Sequence, residues 1–116
     1  MLDVTRVLIF SLLLCMIISS GTVASDNGLK RESFTILKGT PHATEIYLIT
    51  SEKPGKTMMI TGGMHGDEIS GWISANMIKD WSIDAGRLVV IPRLNKTAVE
   101  RKSRRGLDGL DLNRQF

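Results

Sequence analysis

Hydrophobic and polar positions divide the chain into an apolar leader and a patterned body. Val7 to Ile18 is a nearly unbroken apolar run behind a short start carrying Asp3 and Arg6, and Ser19-Ser20-Gly21-Thr22-Val23-Ala24-Ser25 then offers small residues suited to signal-peptidase cleavage. The run is shorter than the roughly 20 apolar residues of a membrane-crossing helix. Residues 1–25 are therefore expected to form a signal peptide cut after Ala24 or Ser25, leaving the body secreted or periplasmic. The alternative is an uncleaved membrane anchor over residues 7–18.

In the body, Asp26 to Glu32 is polar and charged, the pattern of a flexible new N-terminus. Phe34 to Leu37 suits a short strand, Gly39-Thr40-Pro41 is turn chemistry, and Thr44 to Thr50 is rich in strand-favouring types, so the two strands could pair as a hairpin. Glu52-Lys53-Pro54-Gly55-Lys56 breaks the pattern, and Met58-Met59-Ile60 reads as a buried strand. After Glu68 the apolar positions Ile69, Trp72, Ile73, Met77 and Trp81 recur at the three- and four-residue steps of one helix face, expected to pack on the sheet. Asp84-Ala85-Gly86 ends that helix. Arg87 to Pro92 then reads as a strand whose continuous apolar centre is typical of one covered on both faces. Strand, helix, strand in this order implies a parallel pair with a crossover helix. The fold class is thus α/β, with a mixed, partly parallel sheet.

Composition changes this picture little. The 116 residues are 42% hydrophobic and 23% charged with a formal net charge of +3, which selects no partner. The only cysteine, Cys15, lies in the apolar leader after Leu12-Leu13-Leu14, so the body has neither disulfide nor thiol nucleophile and a lipid anchor is disfavoured. Asn95 to Arg105 is strongly basic and reads as a solvated loop; it lacks the interleaved aromatic residues that stacking on nucleic acid requires, so no nucleic-acid partner is expected. Asn95-Lys96-Thr97 matches the N-glycosylation pattern. His42, beside Pro41, reads as a loop histidine in solvent.

The chemistry concentrates in Thr61-Gly62-Gly63-Met64-His65-Gly66-Asp67-Glu68, at the turn from strand to helix. Gly62, Gly63 and Gly66 allow a sharp bend and close approach to a ligand, and the His65 imidazole and Glu68 carboxylate are good Zn²⁺ ligands at a strand's carboxyl end. The same tetrapeptide also suits a helix N-terminus whose acids complement the macrodipole. A second signal is Asp111-Leu112-Asn113-Arg114, where an arginine fork and an asparagine amide can clamp a carboxylate. Read alone, it is an ordinary turn.

Taken together and in order, Gly-Gly-Met-His-Gly-Asp-Glu, Pro92, Asn95, an arginine-rich segment and Asp-Leu-Asn-Arg-x-Phe resemble the zinc metallocarboxypeptidase superfamily, and most closely its succinylglutamate desuccinylase/aspartoacylase branch. The resemblance covers about Lys56 to Phe116 and implies that residues 26–116 are the N-terminal portion of an incomplete zinc-carboxypeptidase-like catalytic domain. It implies His65 and Glu68 as zinc ligands, Asn113 and Arg114 as binders of the substrate carboxylate, and Asp111 as the acid that helps hold their loop. For a further substrate-binding arginine, Arg104 and Arg105 compete, and spacing slightly favours Arg105. The implied reaction is zinc-assisted amide hydrolysis of small peptides or N-acyl amino acids bearing a free carboxylate.

The resemblance also implies a histidine as third zinc ligand and a glutamate general base, both downstream of Asn113-Arg114 and neither within this chain. The isolated 116-residue chain is therefore expected to be a fragment, weak or inactive as a catalyst. Sheet edges and the apolar helix face are expected to be only partly covered. The alternative is a non-catalytic remnant that binds carboxylates or a partner protein.

Overall fold

A computed structural model describes residues 24–26 and 28–116. The apolar leader expected over residues 1–25 lies almost wholly outside the described residues. Among the described residues no helix is long and apolar enough to cross a membrane.

Five strands form one mixed sheet: β1 (Ala24–Asp26), β2 (Leu29–Ile36), β3 (Thr44–Ser51), β4 (Thr57–Thr61) and β5 (Arg87–Ile91), in the spatial order β1-β2-β3-β5-β4. The expected hairpin is present, with β2 and β3 antiparallel from Leu29↔Ser51 to Ile36↔Thr44. Helix α1 (Ile69–Ile78) crosses between β4 and β5, which pair in parallel from Thr57↔Arg87 to Thr61↔Ile91. The mixed, partly parallel α/β sheet inferred from the pattern is the sheet observed.

Of the flexible N-terminus expected over Asp26 to Glu32, Asp26 is instead in β1 and Leu29 to Glu32 in β2. Full-length pairing with β3 supplies backbone partners for this polar stretch, Leu29 is buried, and Lys30 meets Glu32 at 2.8 Å.

The core is formed by Leu29, Ile49, Ala75, Leu88 and Val90, with Tyr47, Ile60, Ile78 and Ile83 packed around it. Ala75 is the buried residue of α1, flanked on the same side by half-buried Trp72 and Ile78. Of the stripe expected to face the sheet, only Trp72 lies on the packed side. Ile69, Ile73 and Met77 are exposed, and Trp81 lies beyond the end of the helix and is also exposed. Small Ala75 lets the helix lie close on the sheet, where Gly62 approaches both the Ala75 side chain and the Gly71 carbonyl.

β4 is likewise not the buried strand its sequence suggests. It is an edge strand, and Met58 and Met59 are 63% and 62% exposed. Nor is β5 equally covered on its two faces: Leu88 and Val90 are buried beneath α1, whereas Val89, on the opposite face, is only half-buried. The registers place Met59, Val89 and Leu48 in one row on that second face, with Phe34 and Ile46 paired beside it.

The basic segment after Asn95 also differs from the solvated loop expected. Lys96–Arg101 forms a short helix, α2, with Thr97, Ala98 and Val99 buried and its basic residues disposed around that spine. The Asn95 side chain accepts from Ala98 N, capping the helix, and Lys102 ends it with φ +49°. The Asn95-Lys96-Thr97 pattern is thereby folded into a helix start, with Thr97 Oγ1 donating to Asn95 Oδ1 at 3.1 Å.

Candidate functional site

The site is assembled where the turns after β4 and β5 meet. Gly62 N donates to Ile91 O, Leu94 N to Gly62 O and Asn95 N to Gly63 O, each at 2.9 Å, and Gly66 N donates to Ser103 O at 2.8 Å. These bonds tie the His65 turn to the segment around α2. Gly63 sits at φ +66°, a region most side chains avoid. At Gly66 any Cβ would run into the Ala98 carbonyl. The close approach for which these glycines are needed is thus to the neighbouring backbone, where the sequence had suggested a ligand.

This scaffold buries His65 to 6% exposure and places a carboxylate against each ring nitrogen. Nδ1 lies 2.9 Å from Glu68 Oε1, and Nε2 lies 2.9 Å from Asp111 Oδ1. Glu68 stands at the N-cap position of α1 but makes no side-chain cap there; its carboxylate turns to His65. Its charge still stands at the helix N-terminus, as the helix-start reading has it, while its side chain bonds to His65.

Asp111 is held from several sides. It accepts from His65 Nε2, from Arg104 Nε at 3.0 Å and from Asn113 N at 3.1 Å, and its side chain is 15% exposed. The bond to Asn113 N caps the 3-10 turn Leu112–Arg114, so the same carboxylate that orients the imidazole also shapes the Asn-Arg turn. Arg104 reaches Glu68 as well, at 3.8 Å, so one cation bridges both acids.

Charge and protonation follow from this arrangement. The hydrogen bonds to Glu68 and then Asp111 raise the His65 pKa above its ordinary value, against the opposing effects of burial and the Arg104 charge. The Asp111 carboxyl is held below the usual range, chiefly by its hydrogen bond to His65 and further by Arg104 and Asn113 N, with burial opposing. Both carboxylates therefore favour the charged imidazolium relative to the neutral ring.

The donor set also suits a metal. A neutral His65 whose Nε2–H is committed to Asp111 presents Nδ1 on the side of Glu68, giving a nitrogen and an oxygen ligand side by side with the ring orientation fixed from behind. Among the described residues, no group of three or more His, Cys, Asp or Glu is arranged to hold an ion.

Of the residues expected to bind substrate, Asn113 and Arg114 occupy the exposed turn beside Asp111. Arg105 is exposed, with Nη1 donating to Gly109 O at 3.4 Å, whereas Arg104 is the arginine brought onto the acids. The imidazole–Asp111 contact spans 46 positions and could not be read from spacing. His42 is an exposed loop residue, as its neighbours suggested.

Comparison with known proteins bears on the fold and the family. The chain is similar to an aspartoacylase family protein from Mesorhizobium loti, with TM-score 0.62 and 28% identity over 84% of this chain and 34% of that one. It is similar to a succinylglutamate desuccinylase/aspartoacylase from Rhodobacter sphaeroides, with TM-score 0.59 and 31% identity over 64% of this chain and 24% of that one. A succinylglutamate desuccinylase from Silicibacter, at TM-score 0.61 and 22% identity over 85% of this chain and 34% of that one, shares the fold. The chain thus spans a quarter to a third of the length of these relatives. No curated protein matches it. The sequence profile of the succinylglutamate desuccinylase/aspartoacylase catalytic domain matches residues 54–116, which run from β4 through His65 and Glu68 to the Asn-Arg turn, and the chain belongs to that family.

Proposed function

We propose that this chain carries part of the metal- and substrate-binding half of a zinc-dependent amide hydrolase, acting on small carboxylate-bearing substrates such as N-acyl amino acids or peptide C-termini. The observation that carries the reading is the His65 imidazole held between Glu68 and Asp111 at 2.9 Å on either side. Membership of an amide-hydrolase family supports the reaction class.

His65 Nδ1 and Glu68 are the residues that would hold Zn²⁺. Bound zinc would supply Lewis acidity and lower the pKa of its water toward neutrality. Asp111 keeps the Nε2 proton and thereby leaves Nδ1 free, and Arg104 offsets the negative charge of the paired acids. Asn113 and Arg114 project from the turn that Asp111 caps and would clamp the substrate carboxylate, so metal and clamp share one support. Arg105, on the neighbouring loop, is proposed as a second contact to the substrate.

Two protein ligands fall short of the three that catalytic zinc sites use. A general base contributes typically about 10²- to 10⁴-fold in rate, so the isolated chain is proposed to bind more readily than it turns over. The test is titration of the zinc-loaded chain with an N-acetylated amino acid, followed by amide resonances. Binding centred on residues 111–115 and weakened at least about tenfold by Arg114→Ala is expected from loss of a charge-assisted pair. Unchanged binding in both Arg114→Ala and Asn113→Ala would remove the clamp from the proposal.

A further inference from the structure

One cavity among the described residues shares no residue with the His65 cluster. It encloses about 310 Å³ and opens where the sheet splits: β3 leaves β5 after the pair Tyr47↔Val90 yet stays paired with β2 as far as Ile36↔Thr44. Pro92, with no N–H to give, follows the end of β5 at the fork. Thr44 Oγ1 donates to Arg93 O at 2.7 Å and bridges the diverging strands at the cavity floor.

The lining is mostly polar and carries separated charge. Arg93 and Lys96 come from the segment after β5, Glu45 and Tyr47 from β3, Thr35 from β2 and Asn76 from α1. The Arg93 guanidinium lies over the Trp72 ring at 5.4 Å and has no carboxylate partner among the described residues. Stacking favours this placement of the exposed Arg93 side chain and leaves its in-plane N–H donors free. Lys96 has only a loose, exposed contact to Glu100, at 3.5 Å. Opposite them, Tyr47 donates its phenolic proton to Glu45 Oε2 at 2.5 Å, which fixes that carboxylate and leaves Oε1 without a hydrogen-bond partner among the described residues. The Trp72 indole N–H, beside this wall, is buried and also unpartnered.

We propose that this cavity is a binding site for a small zwitterion of the α-amino-acid type, its carboxylate on Arg93 and Lys96 and its ammonium on Glu45. An anion alone would leave Glu45 facing like charge, and a cation alone would face Arg93; a zwitterion answers both ends. The site is independent of the hydrolase reading, since none of its residues belongs to the metal or clamp set.

The test is an amide-resonance titration of the full chain with L-alanine and, separately, with propionate, which keeps the carboxylate and lacks the ammonium. Saturable binding of L-alanine is expected, with shifts centred on Thr35, Thr44, Tyr47 and Asn76, and propionate at least about tenfold weaker for want of the charged hydrogen bond. Glu45→Gln should bring the two ligands to similar affinity. Lys96→Gln, at a half-buried position outside the Arg93–Trp72 stack, should weaken both. No saturable binding of L-alanine, shifts centred on residues 111–115, or unchanged discrimination in Glu45→Gln would overturn the proposal.

Discussion

The carboxyl end of β4 and the open surfaces around the strand are built in opposite ways. At its carboxyl end the chain closes on itself: the His65 turn is laced to the α2 segment by backbone bonds, and a buried imidazole has a partner on each nitrogen. Along its length and across the adjoining surfaces, apolar side chains stand open, with Met58 and Met59 on the edge strand, Phe34 and half-buried Val89 on the second sheet face, and Ile69, Ile73 and Met77 along α1. The site depends on contacts among turns close together in space. The apolar surfaces would need cover that the described residues do not supply. Local chemistry can thus be preorganised in a sheet whose outer surfaces are still bare.

The strongest way to break this contrast is at Gly66. A methyl group there meets the Ala98 carbonyl, so Gly66→Ala should cost about 3 kcal/mol or more, as overpacking against backbone does. Denaturant unfolding would measure it, and a cost near zero would mean that the two turns are not locked together.

A smaller effect comes from the Tyr47–Glu45 pair at the forked strand. Burial and then the Glu45 hydrogen bond push the Tyr47 phenol up to about 12. Because the folded value lies above the unfolded one, of about 10, the neutral phenol's contribution to stability is fully present below pH about 10. It is lost as pH rises from about 10 through about 12. Ultraviolet titration should show late ionisation, and Glu45→Gln should bring it earlier. Ionisation of Tyr47 near its ordinary value would show the pair to be open in solution.

The smallest change in stability is expected on the bare surfaces. Met59→Lys and Phe34→Lys should each alter unfolding free energy by no more than about 0.5 kcal/mol, the range of ordinary surface substitutions. They should nonetheless reduce self-association in sedimentation experiments. A large loss of stability would mean that these side chains are covered in solution and that the contrast is overstated.

Periodicity was a good guide to which elements form and a poor guide to which side they bury. The strand–helix–strand order fixed β4, α1 and β5, because a parallel pair needs a crossover. Yet the stripe Ile69–Ile73–Met77 faces outward, since the close approach of α1 at Gly62 admits only the small Ala75. The strand start at Leu29 was hidden because its pairing with Ser51 is non-local, and α2 was hidden because its buried spine is only Thr97-Ala98-Val99 within a run of cations. In the site, the adjacency of His65 and Glu68 was legible from their spacing. The clasp of Asp111 on Nε2 and the turn of Arg104 toward both acids depend on where the later loop lands.

The central claim is that Asp111 orients His65 so that Nδ1 and Glu68 can share a metal. Zinc affinity of the full chain, measured by competition with a chromophoric chelator for the wild type, Asp111→Asn and His65→Ala, tests it most directly. We expect weak but stoichiometric binding by the wild type, about 10- to 100-fold weaker binding in Asp111→Asn through loss of the orienting carboxylate, and none in His65→Ala. Equal affinity in all three proteins would contradict the claim.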